Sequence, residues 1–140
     1  MDINGLELPS SLVADMTARR TKLSAAETAA FGARLVHVER PFPELCDYEW
    51  MVRENRFWKT PDVQHYLGAP SQVHAPGDID PRRAVVIGFA EPDSPVALDY
   101  RTSPPRVVYL GVFENRSYWF ELAPNYDALI AGIRRPARTA

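Results

Sequence analysis

Two aspartates, Asp78 and Asp80, have the spacing at which a pair of carboxylates could do chemistry. They lie in the segment PGDIDP, which spans residues 76–81. A carboxylate pair can supply a general acid and a general base. The prolines and the glycine around these aspartates instead favour a tight turn. We interpret both residues as turn residues, with a catalytic pair as the alternative.

A second charged pair, Asp99 and Arg101, flanks Tyr100 at the end of a strand-like run. Alternation along a strand puts both side chains on the same side of the chain. We expect Arg101 to form an ion pair, either with Asp99 at the strand end or with a carboxylate in the turn 76–81. The alternative is a polar patch that orients a partner.

Trp119 and Glu121 raise the same question one strand later. They alternate with Tyr118 and Phe120, so they lie on the opposite face of the predicted strand. Trp119 either packs beneath a covering segment or stands exposed as a binding anchor, since aromatic anchors dominate many interfaces. The core position is favoured.

Other residue types that carry catalysis lack the required neighbours. The three histidines, His37, His65 and His74, show no metal-binding spacing. The single cysteine, Cys46, precedes the acidic Asp47, which disfavours a thiolate, and it cannot form an internal disulfide. The sequence contains neither a phosphate-binding glycine loop nor a nucleophile elbow. We therefore predict no catalytic residue, no cofactor and no metal site.

The charge balance bears on the kind of partner. The chain has 16 basic and 18 acidic residues, and without the C-terminal Arg134, Arg135 and Arg138 the balance is 13 against 18. A protein that binds nucleic acid would present a net basic face. We therefore expect no nucleic-acid partner, and the mildly acidic body suits a partner with a basic surface.

The length of 140 residues fits one domain with a core of its own. No stretch approaches the ~18 continuous apolar residues of a membrane span, and the N-terminus does not resemble a signal peptide. We expect a soluble cytoplasmic protein without membrane contact. Residues 1–140 are predicted to form one domain, in which residues 134–140 are a flexible basic tail.

The segment 84–122 contains four strand-like runs with turn residues between them. The linkers are about five, about six and about three residues long. A parallel pair of strands needs a connection of roughly a dozen residues or more, so the runs are predicted to form an antiparallel meander. The runs are residues 84–90, 96–100, 107–113 and 117–122.

Helices are predicted on both sides of this meander. One begins near Ser10, and a second begins at Ser24, which has capping-box spacing to Glu27. The run 35–38 either continues the second helix or forms a short strand. A closing helix follows Pro124. The fold class is therefore α+β, with an antiparallel sheet flanked by N-terminal helices and a C-terminal helix.

The segment 40–81 is irregular because its prolines interrupt any long helix. Short structured pieces are predicted around 48–52 and 62–66. The segment also contains six aromatic residues, which favour an ordered cover over part of the core. They are Phe42, Tyr48, Trp50, Phe57, Trp58 and Tyr66.

Several stretches, in this order, resemble the Smi/Knr branch of the SUKH superfamily. Leu8-Pro9 is similar to the family's entry into its first helix, and the final stretch is similar to its tryptophan-containing strand followed by a helix. No family pattern is visible between Arg19 and Lys59. The similar stretches are residues 66–71, 76–88, 97–101, 105–110 and 119–129.

This resemblance implies an antiparallel sheet with flanking helices and a non-catalytic role. Many bacterial members resemble immunity proteins, which bind and neutralise a cognate toxin that is often a nuclease, whereas eukaryotic relatives serve as regulatory scaffolds. We therefore expect a protein-binding module of the immunity type. One alternative is a small-molecule-binding or enzymatic domain with a polar cleft near Asp78, Asp80, Asp99 and Arg101. The other is a structural or regulatory adaptor.

Overall fold

The computed structural model describes residues 1–134 and confirms the α+β class. The strands are β1 (Asp2–Ile3), β2 (Leu6–Glu7), β3 (Glu44–Leu45), β4 (Pro76–Gly77), β5 (Ala84–Glu91), β6 (Ser94–Asp99), β7 (Arg106–Phe113) and β8 (Arg116–Ala123). The α-helices are α1 (Ser10–Thr17), α2 (Ala25–Gly32), α3 (Tyr48–Phe57) and α4 (Tyr126–Arg134), and 3-10 helices span Pro61–Tyr66 and Pro81–Arg83. Among these described helices, none has the length and apolar character needed to cross a membrane.

The predicted meander forms the centre of a six-stranded antiparallel sheet with the order β3-β5-β6-β7-β8-β4. The connection between β7 and β8 is a tight hairpin in which Glu114 and Asn115 both have positive φ, at 50° and 64°. Two consecutive residues with positive φ match the right-handed twist of the flanking strands. The short linkers therefore produce neighbouring strands in chain order, as predicted.

The two faces of the sheet are covered by different parts of the chain. On one face, sheet residues such as Ile87 and Leu98 form a hydrophobic cluster with residues of α1, α2 and α4. On the other face, Val108 and Trp119 pack with Trp58, Val63 and Ile79 in a second cluster. The aromatic middle segment is thus the ordered cover that the sequence predicts.

Several predicted elements in the first half of the chain have different bounds in the structure. The capping box of Ser24 and Glu27 is present, but α3 extends to Phe57 rather than ending near residue 52. Asp47 starts α3 by accepting a hydrogen bond from the Trp50 backbone N–H, and no proline interrupts residues 44–60. The run 35–38 forms neither a helix nor a strand.

The predicted tight turn at 76–81 is also wrong in its first half. Pro76 and Gly77 form the edge strand β4, which pairs with Trp119 and Phe120 of β8. Gly77 has a φ of 75°, and a side chain there would meet the backbone of the preceding loop. Only a glycine fits this position, because L-residues with a side chain rarely adopt such a φ.

The open edge of β5 is covered by a side chain of α3. Asn55 is 1% exposed, and its Oδ1 accepts a hydrogen bond of 2.8 Å from the Val86 backbone N–H. Its Nδ2 donates to the backbone carbonyls of Val86, at 2.9 Å, and Met51, at 2.8 Å. The amide therefore replaces a neighbouring strand and satisfies backbone groups that would otherwise stay unpaired.

The three helices on the first face are joined by one polar cluster. The Arg134 guanidinium lies 2.9 Å from Asp15 of α1 and 3.0 Å from Glu27 of α2. Tyr126 donates a hydrogen bond of 2.8 Å to the same Asp15. Residue 134 is consequently a fixed part of α4, which corrects the prediction that the tail begins there. The rest of the predicted tail, 135–140, lies outside the described residues.

Replacing Arg134 by methionine is expected to lower the free energy of unfolding by about 2 kcal/mol, because Asp15 would stay buried without its cationic partner. Urea-induced unfolding monitored by tryptophan fluorescence measures this change. The control is Arg53→Met, since Arg53 is an exposed helical arginine that forms no ion pair within residues 1–134. Equal midpoints for the two variants would contradict a stabilising role for Arg134.

Candidate functional site

The predicted charged residues at the end of β6 form a connected ion cluster. Arg101 contacts Asp99 at 3.0 Å through Nε and Asp78 at 3.0 Å through Nη1. Arg106 contacts the other oxygen of Asp99 at 2.9 Å and lies 3.9 Å from Glu121. Both pairings proposed for Arg101 therefore occur together.

Asp99 is the buried centre of this cluster. Its side chain is fully buried, and burial by itself would raise its pKa. Hydrogen bonds from Arg101 and Arg106 outweigh this effect and hold the pKa of Asp99 below its ordinary value of 3.8. Five cavities of residues 1–134 have linings that include none of Asp78, Asp99 and Arg101. The predicted polar cleft is thus an internally paired ion cluster.

The other two predicted site residues lie apart from this cluster. Asp80 accepts a hydrogen bond from the Arg82 backbone N–H at the start of the 3-10 helix, which agrees with a role in chain geometry. Trp119 is fully buried, and its Nε1 donates a hydrogen bond of 2.7 Å to the Tyr66 carbonyl. The alternative of Trp119 as an exposed anchor is therefore wrong.

An open groove lies between α3 and the turn that joins β5 to β6, and we call it the aromatic groove. Its volume is about 410 Å³, and five of its ten lining residues are aromatic. Three carboxylates and two prolines complete the lining, which contains no basic residue of the range 1–134. The lining residues are Glu44, Trp50, Glu54, Phe57, Trp58, Tyr66, Phe89, Pro92, Asp93 and Pro95.

Helical spacing positions one wall of the aromatic groove. Four lining residues follow one another along the sequence in steps of four, three and one positions. This spacing places them on one face of α3 and at its C-terminal end. They are Trp50, Glu54, Phe57 and Trp58. The Trp50 indole donates a hydrogen bond of 3.1 Å to Glu54, which fixes both side chains. Trp50 also stacks on Phe89 of β5, with ring centroids 5.5 Å apart.

Buried aromatic contacts support the far end of the aromatic groove. The Tyr66 carbonyl accepts the hydrogen bond from Trp119, and Trp58 packs edge-on against Trp119 with ring centroids 5.9 Å apart. Phe57 meets Tyr66 edge to face at 5.8 Å. Trp119 therefore contributes to this site from beneath, as a support for residues that line it.

The carboxylates of the aromatic groove differ from those of the two ion-pair clusters described above. Glu44, Glu54 and Asp93 form no ion pair within residues 1–134, whereas Asp15, Asp78 and Asp99 are all paired. Unpaired carboxylates beside exposed aromatic faces create a negative potential that attracts cations.

Sequence reasoning missed this groove, although the sequence contains two signals for it. The first signal is the aromatic content of segment 40–81, which by itself predicts only a cover for the core. The helical spacing from Trp50 to Trp58, with Asp47 as a helix-capping residue before it, indicates an amphipathic helix with an aromatic face. The contribution of Phe89 and Asp93 depends on tertiary packing and has no local signal.

A second group of aromatic rings lies near the β7–β8 hairpin. The His37 ring stacks on Phe120 with centroids 3.9 Å apart, and His74 lies 5.2 Å from His37 and 4.4 Å from Phe113. Burial lowers the pKa of His37, and the nearby His74 adds to this effect. Residues 1–134 contain no group of three or more histidine, cysteine, aspartate or glutamate side chains that could hold a metal ion.

Exposed apolar residues surround these histidines. We call them the hairpin patch, and they are Val36, Val73, Val112 and Phe113, whose exposed fractions range from 37% to 81%. Charged residues of the hairpin turn, Glu114 and Arg116, lie beside the patch and are exposed. The charged residues beside the hairpin patch have opposite signs. Within residues 1–134, the patch therefore lacks a group of unpaired charges of one sign, such as the three carboxylates of the aromatic groove.

Cys46 is buried next to the aromatic groove and does not line it. Burial raises the pKa of its thiol, and the neighbouring Glu54 and Asp47 raise it further. The thiolate is therefore disfavoured at neutral pH.

The aromatic groove can bind a cationic or apolar group through its walls and carboxylates. No protein-family model matches the chain, and no curated protein or solved structure matches it.

Proposed function

We propose that this chain is a non-catalytic protein-binding module of the bacterial immunity type, which neutralises a cognate toxin in the cytoplasm by binding it. The observation that carries the proposal is the aromatic groove, whose lining among the described residues has five aromatic side chains, three carboxylates and no basic residue. Tryptophan and tyrosine are enriched among residues that dominate binding energy at protein interfaces. The resemblance to the Smi/Knr branch supports the same class of function.

The charge of the aromatic groove favours a partner with a basic surface. A nuclease needs lysine and arginine side chains to contact the phosphates of its substrate. An acidic protein that binds such a surface blocks the substrate path sterically and competes for the same positive charges. A nuclease toxin therefore has the charge that complements this groove.

Co-expression with the protein encoded by the neighbouring gene tests the proposal. We expect the wild-type chain to protect cells from this protein and to form a complex with it, and Trp50→Ala to lose most of the protection. Tyr48→Ala is the matched control, because Tyr48 is 41% exposed on the same helix but lies outside the aromatic groove. A wild-type chain that neither binds nor protects would overturn the proposal.

A further inference from the structure

We infer that the aromatic groove receives an arginine side chain from a basic segment of the partner protein. This inference rests on the proposed function and specifies which chemical group of the partner the groove recognises. It depends on three features of the described residues. They are the arrangement of the aromatic rings, the free oxygens of the carboxylates and the continuity of the groove with a second one.

The aromatic rings offer flat faces on which a planar cation can stack. Trp50 and Phe89 are nearly parallel, with an interplanar angle of 17°, and both are only partly buried. On the opposite side, Phe57 and Tyr66 are also partly buried and meet at 82°. A cation within about 6 Å of such a ring is attracted by its quadrupole, and tryptophan is the strongest of these partners.

The carboxylates leave acceptor oxygens free for a donor with several N–H groups. Glu54 uses Oε1 to hold the Trp50 indole, and its Oε2 accepts no hydrogen bond within residues 1–134. In the same described range, the carboxylate oxygens of Glu44 and Asp93 accept none either, and all three residues line the aromatic groove.

Arginine matches this arrangement better than lysine. A guanidinium is planar, stacks on aromatic faces and carries five N–H donors in a fork that fits carboxylates. It is also less strongly hydrated than an ammonium group, so its transfer from water into a partly apolar groove is less unfavourable. Trp50 is only partly buried and lies next to Glu54, so one guanidinium can contact the open part of the ring and the carboxylate together.

The surroundings of the aromatic groove indicate a chain segment as the source of this side chain. A second groove, with a volume of about 430 Å³, shares Glu44 and Trp50 with the first. Phe42 lines the second groove and is 64% exposed. The two grooves therefore adjoin each other beside the sheet edge at β3. Leu23, Phe42 and Pro43 give the second groove an apolar part that the neighbours of the arginine in a partner segment can cover, and its polar lining is Thr21, Lys22, Thr28, Glu44 and Asp47.

The inference is tested with three short peptides of otherwise identical sequence that contain arginine, lysine or citrulline at the centre and an apolar residue on each side of it. The lysine peptide is expected to bind more weakly than the arginine peptide. Citrulline has nearly the shape of arginine but no charge. Binding is measured by the NMR shift of the Trp50 indole N–H during titration. We expect the arginine peptide to bind at least about tenfold more tightly than the citrulline peptide, because the charge-assisted hydrogen bonds are lost. Its affinity should also fall as the salt concentration rises.

Glu54→Gln is expected to weaken binding of the arginine peptide by about tenfold, because glutamine can still accept the Trp50 hydrogen bond but lacks the charge. Glu49→Gln is the control, since Glu49 lies on the same helix outside both grooves. Free arginine amide is expected to bind more weakly than the arginine peptide. Equal binding of the two would indicate a small-cation site and overturn the inference of a chain segment.

Equal affinities of the arginine and citrulline peptides, or no shift of the Trp50 signal, would overturn the inference. The proposed function is judged separately by protection against the neighbouring gene product. Protection and complex formation that are unchanged in Glu54→Gln would leave the binding function standing and remove arginine recognition at this groove. Loss of all protection in the wild-type chain would remove the function itself.

Discussion

Replacing Asp99 by alanine is expected to lower the free energy of unfolding by about 3 kcal/mol, because two arginines would lose a fully buried anionic partner. The expected loss lies at the low end of the range for broken buried pairs. Arg101 keeps its contact with Asp78, and Arg106 keeps its proximity to Glu121. Urea unfolding at neutral pH measures the change, provided that the slope with denaturant stays constant.

The pH dependence identifies the charge of Asp99 as the cause. Because the pKa of Asp99 in the folded protein is held below 3.8, its stabilisation is fully present above about pH 3.8. It is lost as the pH falls through the folded-state pKa. The control Asp99→Asn keeps the shape without the charge, so its stability should fall less than that of the wild type in this acidic window. Parallel pH profiles of the two proteins would contradict this explanation.

Replacing Asn55 by alanine is expected to lower the free energy of unfolding by about 3 kcal/mol, because the Val86 N–H and carbonyl would both stay buried without partners. The substitution also removes the link between α3 and the edge of β5. Chemical denaturation reports the loss of global stability. Hydrogen exchange of the Val86 amide should show faster exchange than in the wild type, because its acceptor is missing.

Asn55→Asp provides the matched control for this prediction. At neutral pH its carboxylate can accept from the Val86 N–H, but it cannot donate to the carbonyls of Met51 and Val86. Its destabilisation relative to the wild type should shrink as the pH falls and the carboxyl gains a proton. A difference that does not change with pH would show that packing, and not the hydrogen-bond pattern, determines the effect of this position.

Local sequence patterns predicted the central sheet because its strands are adjacent in the chain. The short linkers between the runs of 84–122 require antiparallel neighbours, and the structure has this order. Ser24 and Glu27 likewise form a capping box that depends only on spacing. In contrast, the two-residue strands β3 and β4 have no periodicity of their own, so only tertiary pairing defines them.

The sequence predicts less of the candidate site than of the central sheet. Asp99 and Arg101 are close in the chain, so the sequence predicts their ion pair. Arg106 also pairs with Asp99, but it lies on the next strand and has no such local signal. The aromatic groove combines α3 with Phe89 and Asp93, which are more than thirty residues further along. No spacing rule connects these segments, because the packing of α3 against β5 alone brings them together.

The separation of paired from unpaired charges connects the fold to the proposed function. Carboxylates that face arginines stabilise the domain, as at Asp15 and Asp99. Those at the aromatic groove form no ion pair within the described chain, although Glu54 accepts a hydrogen bond from the Trp50 indole. Their negative potential is instead available to a partner, where it increases the rate of association with a basic surface.

Hydrogen–deuterium exchange of the chain, alone and in complex with the product of the neighbouring gene, tests most directly whether the aromatic groove is the binding surface. We expect the complex to slow exchange in residues 44–58 and 89–95, with little change at the β7–β8 hairpin. Slower exchange confined to the hairpin patch, with residues 44–58 unchanged, would contradict the account.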